Sequence, residues 1–217
     1  FERNYISFLY ILKDKEKVFV VLSAMSGTTN TLIEIADYLY KKNHEGANEI
    51  INRLEQKYIS YIDELYSTNE YKEKIYNFFQ KEFNYLRSFT NDIFTSFEEK
   101  SIVARGEILS TNMVVNYLLE NGIKAKLINA LDFMRTDKNS EPDAVYIKEK
   151  LSAIMASNND YQVYITQGFI CKNAYGEVDN LQRGGSDYTA SLVGAAINAE
   201  EIQIWTAIDG MHLVQNF

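Results

Sequence analysis

Proline and cysteine are almost missing from this 217-residue chain: each occurs once, as Pro142 and Cys171. A single cysteine excludes a disulfide framework and a cysteine metal cluster, and Cys171 reads as a small, semi-buried hydrophobe. Histidine is nearly as scarce; His44 and His212 lie far apart and read as solvent or packing residues, not metal ligands. Basic residues are outnumbered, 22 Lys and Arg against 30 Asp and Glu, for a net charge of -8. That balance argues against a nucleic-acid partner, which needs a broad cationic surface, yet leaves room for a nucleotide in a local pocket. No apolar run reaches the ~18 residues that would span a bilayer, and no signal peptide is apparent. The expected location is the cytoplasm, with no membrane partner. Hydrophobic content of 46% and charged content of 24% suit one α/β domain with a sizeable core.

Strand and helix patterns alternate along most of the chain. Val18 to Ser23 is a continuous apolar run, as expected of a buried parallel strand. Thr29 and Asn30 could cap the helix that follows, in which Leu32, Ile35, Ala36 and Leu39 recur at helical spacing. Between about residues 45 and 121 strand signals nearly vanish. Ile50, Ile51, Leu54, Tyr58, Ile62 and Leu65 form one helical stripe, and Ile75, Phe79, Phe83, Leu86, Ile93 and Phe97 another. Ser67-Thr68-Asn69-Glu70 separates them. The stripes read as helix–helix core rather than a cofactor box. Lys124–Asn129 reads as a strand, the segment after Pro142 as a helix with proline near its first turn, Tyr161–Gln167 as a buried strand, and Glu201–Thr206 as another. The expected architecture is a mainly parallel sheet with helices on both faces.

The segment Gln182-Arg183-Gly184-Gly185-Ser186-Asp187-Tyr188-Thr189-Ala190 carries the most chemistry. Its glycines let backbone approach a ligand closely, and Ser186 and Asp187 suit an N-cap and first helical turn. The helix would start where free N–H groups and the positive dipole end face an anion. Arg183 suits carboxylate or phosphate. In open parallel sheets ligands sit at the carboxyl ends of strands, and loops leaving such ends hold Ser23–Asn30, Gln167–Ile170 and Trp205–Gly210. Arg105-Gly106-Glu107 joins them because glycine inside a helical pattern costs ~1 kcal/mol, which points to a close approach there. Each residue also has a plain structural reading. Arg183 could be a surface ion-pair residue, Glu107 an ordinary helix carboxylate, and Thr29 or Asp187 a cap. Trp205 reads as core, and Asp132, Arg135 and Asp137 as a solvated loop.

These blocks carry a family resemblance. Leu22-Ser-Ala-Met-Ser-Gly-Thr-Thr-Asn30, Ala104-Arg-Gly-Glu107, Ile165-Thr-Gln-Gly-Phe-Ile170, Leu181-Gln-Arg-Gly-Gly-Ser-Asp-Tyr-Thr-Ala190 and Ile204-Trp-Thr-Ala-Ile-Asp-Gly210 resemble, in this order, the signature blocks of the aspartokinases, members of the amino acid kinase family. The resemblance implies a three-layer α/β/α sandwich with a helical insertion over about 45–121. It implies one catalytic domain over 1–217, with the regulatory domains of the family absent. The implied reaction transfers the ATP γ-phosphoryl group to the β-carboxylate of L-aspartate. The product, 4-phospho-L-aspartate, opens lysine, threonine and methionine biosynthesis. Mg2+ would accompany the ATP, no protein-held metal is implied, and a homodimer is expected.

By the same likeness, Arg183 would hold the substrate α-carboxylate and Glu107 its ammonium group. Ser23, Thr29 and Ser186 would orient the carboxylates, and Asp187, with Arg183, would organise catalysis. Gly184 and Gly185 would lie against the nucleotide, and Thr206, Ala207, Asp209 and Gly210 would line its adenine end. Two departures from the family pattern stand out. No Lys-Phe-Gly-Gly-Thr-Ser block occurs in this sequence, and Ala207 replaces the aspartate usual after Trp-Thr. They leave open an alternative, a catalytically impaired homologue that binds an amino acid or nucleotide as a regulatory subunit. A kinase of another acceptor is a third reading.

Overall fold

The computed structural model describes residues 17–91, 93–158, 160–181 and 184–205. In chain order the first elements are β1 (Val18–Leu22), α1 (Thr28–Tyr40), α2 (His44–Leu65), α3 (Asn69–Ser88), α4 (Ser96–Val103) and α5 (Arg105–Glu120). β2 (Ala125–Leu127), a 3-10 turn (Ala130–Asp132), α6 (Ala144–Ala156), β3 (Val163–Gln167), β4 (Ile170–Lys172), β5 (Val178–Asn180) and α7 (Gly185–Ile197) follow. β1, β3 and β2 form a parallel sheet in that order, with Val18 opposite Val163 and Leu22 opposite Gln167.

Strand alternation sends side chains to opposite faces, and here both faces are covered. Val18, Val20, Leu22, Leu127, Val163 and Ile165 pack with Val115 and Leu118 of α5. The intervening Phe19, Val21 and Tyr164 turn to the other side, where Ile147 and Leu151 of α6 and Val193 of α7 meet them. The result is the expected α/β/α sandwich. A second core lies off the sheet, where α1, α2, α3 and α5 interlock through Leu32, Ile51, Tyr58, Ile62, Phe79, Phe83 and Met113. Here the helical stripes meet as the spacing predicts.

Local chemistry sets several boundaries. Asp143 accepts from the Tyr146 N–H at the start of α6, directly after Pro142. Thr95 and Glu98 form a capping box that starts α4. That restart explains one departure from expectation. α3 ends at Ser88, so Ile93 and Phe97 fall outside its stripe and are 88% and 50% exposed. The expected caps also differ. α1 begins at Thr28 behind Gly27 (φ 80), and α7 at Gly185 behind Gly184 (φ 76), with no side-chain cap on either. A left-handed glycine turns the chain into both helices, so Thr29, Asn30, Ser186 and Asp187 sit inside the first turn.

The antiparallel hairpin β4–β5 was not expected. Glu201–Trp205, expected as a strand, forms none: it is exposed, and Trp205, expected in the core, is 65% exposed. The run is apolar enough for a strand, but among the described residues no strand pairs with it; Ile202 lies against Gly194 of α7. Cys171 is fully rather than partly buried, and burial pushes its thiol up to about 12, so it is inert. Arg135 is only partly solvated. It pairs with Asp143 and lies 3.7 Å over the Tyr146 ring, whereas Asp132 and Asp137 are exposed as expected. His44 is exposed. No helix among the described residues is long and apolar enough to cross a membrane.

Candidate functional site

The adjacent strands β1 and β3 end together, and the chain segments beyond them stay in contact. The Gly168 N–H donates to the Leu22 carbonyl at 2.9 Å, continuing the ladder by one bond. The loop after β1 then crosses the start of α5. The Ala24 N–H donates to Glu107 Oε1 at 3.2 Å, and Ser110 Oγ donates to the Ser23 carbonyl at 2.8 Å. Glycine is needed for this crossing, since a Cβ on Gly106 would stand 2.8 Å from the Ala24 methyl. The close approach expected from a helix-interior glycine is therefore made by the β1 loop.

On the other side, the start of α7 rests on the β3 exit. A Cβ on Gly168 would come within 2.6–2.8 Å of Ser186, backbone included, and one on Gly185 would strike Phe169. Phe169 has φ 67, a left-handed conformation that a bulky residue adopts only when its surroundings impose it. They do so here: its N–H donates to Thr189 Oγ1 and its carbonyl accepts from Leu181. Sequence reasoning assigned no role to Phe169. Gln167, expected in the same site loop but likewise without a role of its own, accepts from the Ala130 N–H and donates to Thr111, whose hydroxyl in turn donates to the Glu107 carbonyl. Gln167 thus ties β3 to the first turn of α5. The signals for it were a glutamine at a buried strand's carboxyl end and its place in the block Ile165–Ile170.

Ser23, Glu107, Gly184, Gly185 and Ser186 are brought to this one end of the sheet. Thr29 lies in the first turn of α1, half-buried, and Asp187 in the first turn of α7, exposed. Arg183, Thr206, Ala207, Asp209, Gly210 and His212 lie outside the described residues.

Glu107 dominates the electrostatics. It is 3% exposed, and its Oε2 is buried with no hydrogen-bond partner among the described residues. Burial pushes its carboxyl from an ordinary 4.5 up to about 7, against the lowering effect of the Ala24 N–H. A buried carboxylate with a free oxygen is an acceptor for a cation. At the same end of the sheet, the α7 N-terminus presents backbone N–H groups and the positive end of the helix dipole, which suit an anion. The pair suits a small molecule bearing both charges. Among the described residues no three His, Cys, Asp or Glu side chains converge to hold a metal ion.

A profile of the amino acid kinase family matches residues 3–213. Lysine-sensitive aspartokinase 3 of Escherichia coli (strain K12) is 28% identical over 205 residues, which cover 93% of this chain and 45% of that protein. Chloroplastic aspartokinase 1 of Arabidopsis thaliana is 30% identical over 209 residues, or 91% of this chain and 36% of its own length. The crystal structure of E. coli aspartokinase III in complex with aspartate and ADP superposes with a TM-score of 0.80 at 28% identity, covering 94% of this chain and 45% of that one. The chain thus spans less than half the length of these relatives.

Proposed function

The chain belongs to the amino acid kinase family, and from that premise we propose that it is the catalytic part of an aspartate kinase. It would transfer the ATP γ-phosphoryl group to the β-carboxylate of L-aspartate to give 4-phospho-L-aspartate. The observation that carries this reading is Glu107, whose buried Oε2 has no hydrogen-bond partner among the described residues, at the same end of the sheet as the α7 N-terminus, which has no side-chain cap.

In this reading Glu107 binds the substrate ammonium group and Arg183 forms a bidentate pair with the α-carboxylate. Ser23, Thr29 and Ser186 orient the carboxylates. The backbone of Gly184 and Gly185 faces the phosphates, where N–H groups and the α7 dipole offset charge that grows in the transition state. Thr206, Ala207, Asp209 and Gly210 line the adenine end. Mg2+ arrives on the nucleotide, where it neutralises charge on the phosphate oxygens. The exposed Asp187 at the α7 start is the acidic side chain that would organise that end of the site.

A carboxylate nucleophile is already ionised at neutral pH, so no general base is required. Phosphoryl transfer asks the protein chiefly for positioning and charge stabilisation. A homodimer working in the cytoplasm belongs to the same reading. A coupled ADP-release assay tests it, with L-aspartate, L-glutamate or a nucleoside monophosphate as acceptor. Turnover that depends on L-aspartate is expected; equal rates with and without it would refute the substrate.

A further inference from the structure

We infer that Tyr58, carried on helix α2 of the helical insertion, is a positioning residue for this site, holding through Thr28 the turn against which Glu107 is set. The inference rests on the aspartate-kinase reading for its catalytic consequence, and on geometry alone for the clamp itself.

The Tyr58 hydroxyl and Thr28 Oγ1 share a 3.0 Å hydrogen bond across 30 residues of sequence, and both residues are 0% exposed. The Tyr58 ring has little freedom. Phe79 and Phe83 of α3 and Tyr61 of α2 surround it at centroid distances of 5.3, 6.1 and 6.1 Å. The insertion's aromatic core therefore fixes where the hydroxyl stands. The adjacent Lys57 adds a second tie, its ammonium donating to the Ser26 carbonyl at 3.3 Å. Between these two points lies Gly27, in its left-handed turn, and the Thr28 N–H closes the turn onto the Met25 carbonyl at 2.9 Å.

This turn reaches the site directly. Ala24, four residues before Thr28, donates its N–H to Glu107, and a Cβ on Gly106 would meet both the Ala24 methyl and the Thr28 methyl. Burial raises the Tyr58 phenol above its ordinary range, and the negative charge of Glu107 adds to that rise. Tyr58, Thr28, Ala24 and Glu107 thus form one chain of contacts from the aromatic core of α2 and α3 to the carboxylate on α5. Removing the Tyr58 hydroxyl leaves Thr28 Oγ1 buried without that partner, and the turn loses its anchor.

Three variants test this. Tyr58→Phe deletes the hydroxyl. Thr28→Val removes the same bond from the other side and serves if Tyr58→Phe folds poorly. Tyr66→Phe is the control, since the Tyr66 hydroxyl is equally buried on the insertion but donates to the Met113 carbonyl, away from the site. In ligand-free protein, hydrogen exchange of amides 24–28 should quicken about tenfold in Tyr58→Phe and Thr28→Val, and stay at the wild-type rate in Tyr66→Phe. In the coupled assay the same two variants should raise the L-aspartate KM about tenfold while the ATP KM holds. Unchanged exchange at 24–28, or equal effects from Tyr66→Phe, overturns the clamp. Faster exchange with an unchanged aspartate KM overturns the positioning role. Wild-type protein that shows no aspartate-dependent turnover sinks the substrate assignment instead, and the exchange measurement still decides the clamp.

Discussion

Replacing Glu107 with glutamine should make the protein more stable at alkaline pH and worse at binding substrate. In the folded protein the Glu107 carboxyl is held at about 7 against an ordinary 4.5, because burial disfavours its charged form. Between those values the native state binds more protons than the unfolded state, so stability falls as pH rises through this window. The shift of ~2.5 units corresponds to a penalty of ~3 kcal/mol, complete above about pH 8 and gone below about pH 4.5. Glutamine carries no charge to desolvate, and its side-chain oxygen can still accept from Ala24. Its amide group has no partner in place of Oε2, which takes back ~1 kcal/mol. The net gain is therefore ~2 kcal/mol at pH 8.5, or roughly 4–8 °C in Tm for a chain of this size. At pH 4.5 the gain should be gone, and the variant no more stable than wild type.

Urea unfolding of both proteins at pH 4.5 and 8.5 measures this. The same stability difference at both pH values would refute the argument, because a pH-independent change cannot come from a titrating carboxyl. Substrate should move the other way. If Glu107 binds the ammonium group as proposed, losing that charge-assisted bond costs ~2 kcal/mol or more, about 30-fold in aspartate affinity. Binding to wild type at pH 6 should also release a proton as Glu107 ionises, seen in calorimetry as a heat that varies with buffer ionisation enthalpy.

The glycines give three further tests. Gly168→Ala drives a methyl into the backbone of Ser186, which cannot yield as a flexible side chain would. We expect a loss of ~1–3 kcal/mol in denaturant unfolding and a fall in turnover as the α7 start is displaced. Gly106→Ala and Gly194→Ala both gain ~1 kcal/mol of helix propensity, yet should differ in sign. The first meets the Ala24 methyl at 2.8 Å in a buried crossing and should destabilise. The second meets the far end of Ile202, which is 47% exposed and free to swing away, and should raise Tm slightly. Gln167→Leu should cost ~1–3 kcal/mol, since it leaves the buried Ala130 N–H without its partner.

What could be read in advance follows from how each element is encoded. β1 was legible because a parallel strand covered on both faces is written as an unbroken apolar run, and β3 because β-branched and aromatic residues fill it up to its polar exit at Thr166 and Gln167. α1, α2 and α3 were legible because each buries one stripe. β4 and β5 were not, being three residues each and held by pairing and by the Lys100–Asp179 bridge rather than by a pattern. Glu201–Trp205 shows the opposite failure: local composition says strand, but among the described residues no strand pairs with it. At the site, Gly106 announced its crossing because glycine inside a helix calls for a reason, and Ser186 and Glu107 came from the family resemblance.

Tyr58 was read correctly as a core residue, and that reading hid its hydroxyl. A stripe position specifies where a ring goes, while the partner of its polar end depends on which element lies across the core. Here that element is the first turn of α1, reached only once α2 has folded back onto it. The same limit applies to Glu107. Its residue type and helix position are ordinary; its carboxyl is raised by burial, and the Ala24 N–H that reaches it from 83 residues away works against that rise. The chemistry of this site therefore resides in the crossing of the β1 loop over α5, and substitutions that alter this crossing should change aspartate binding even when they touch no substrate.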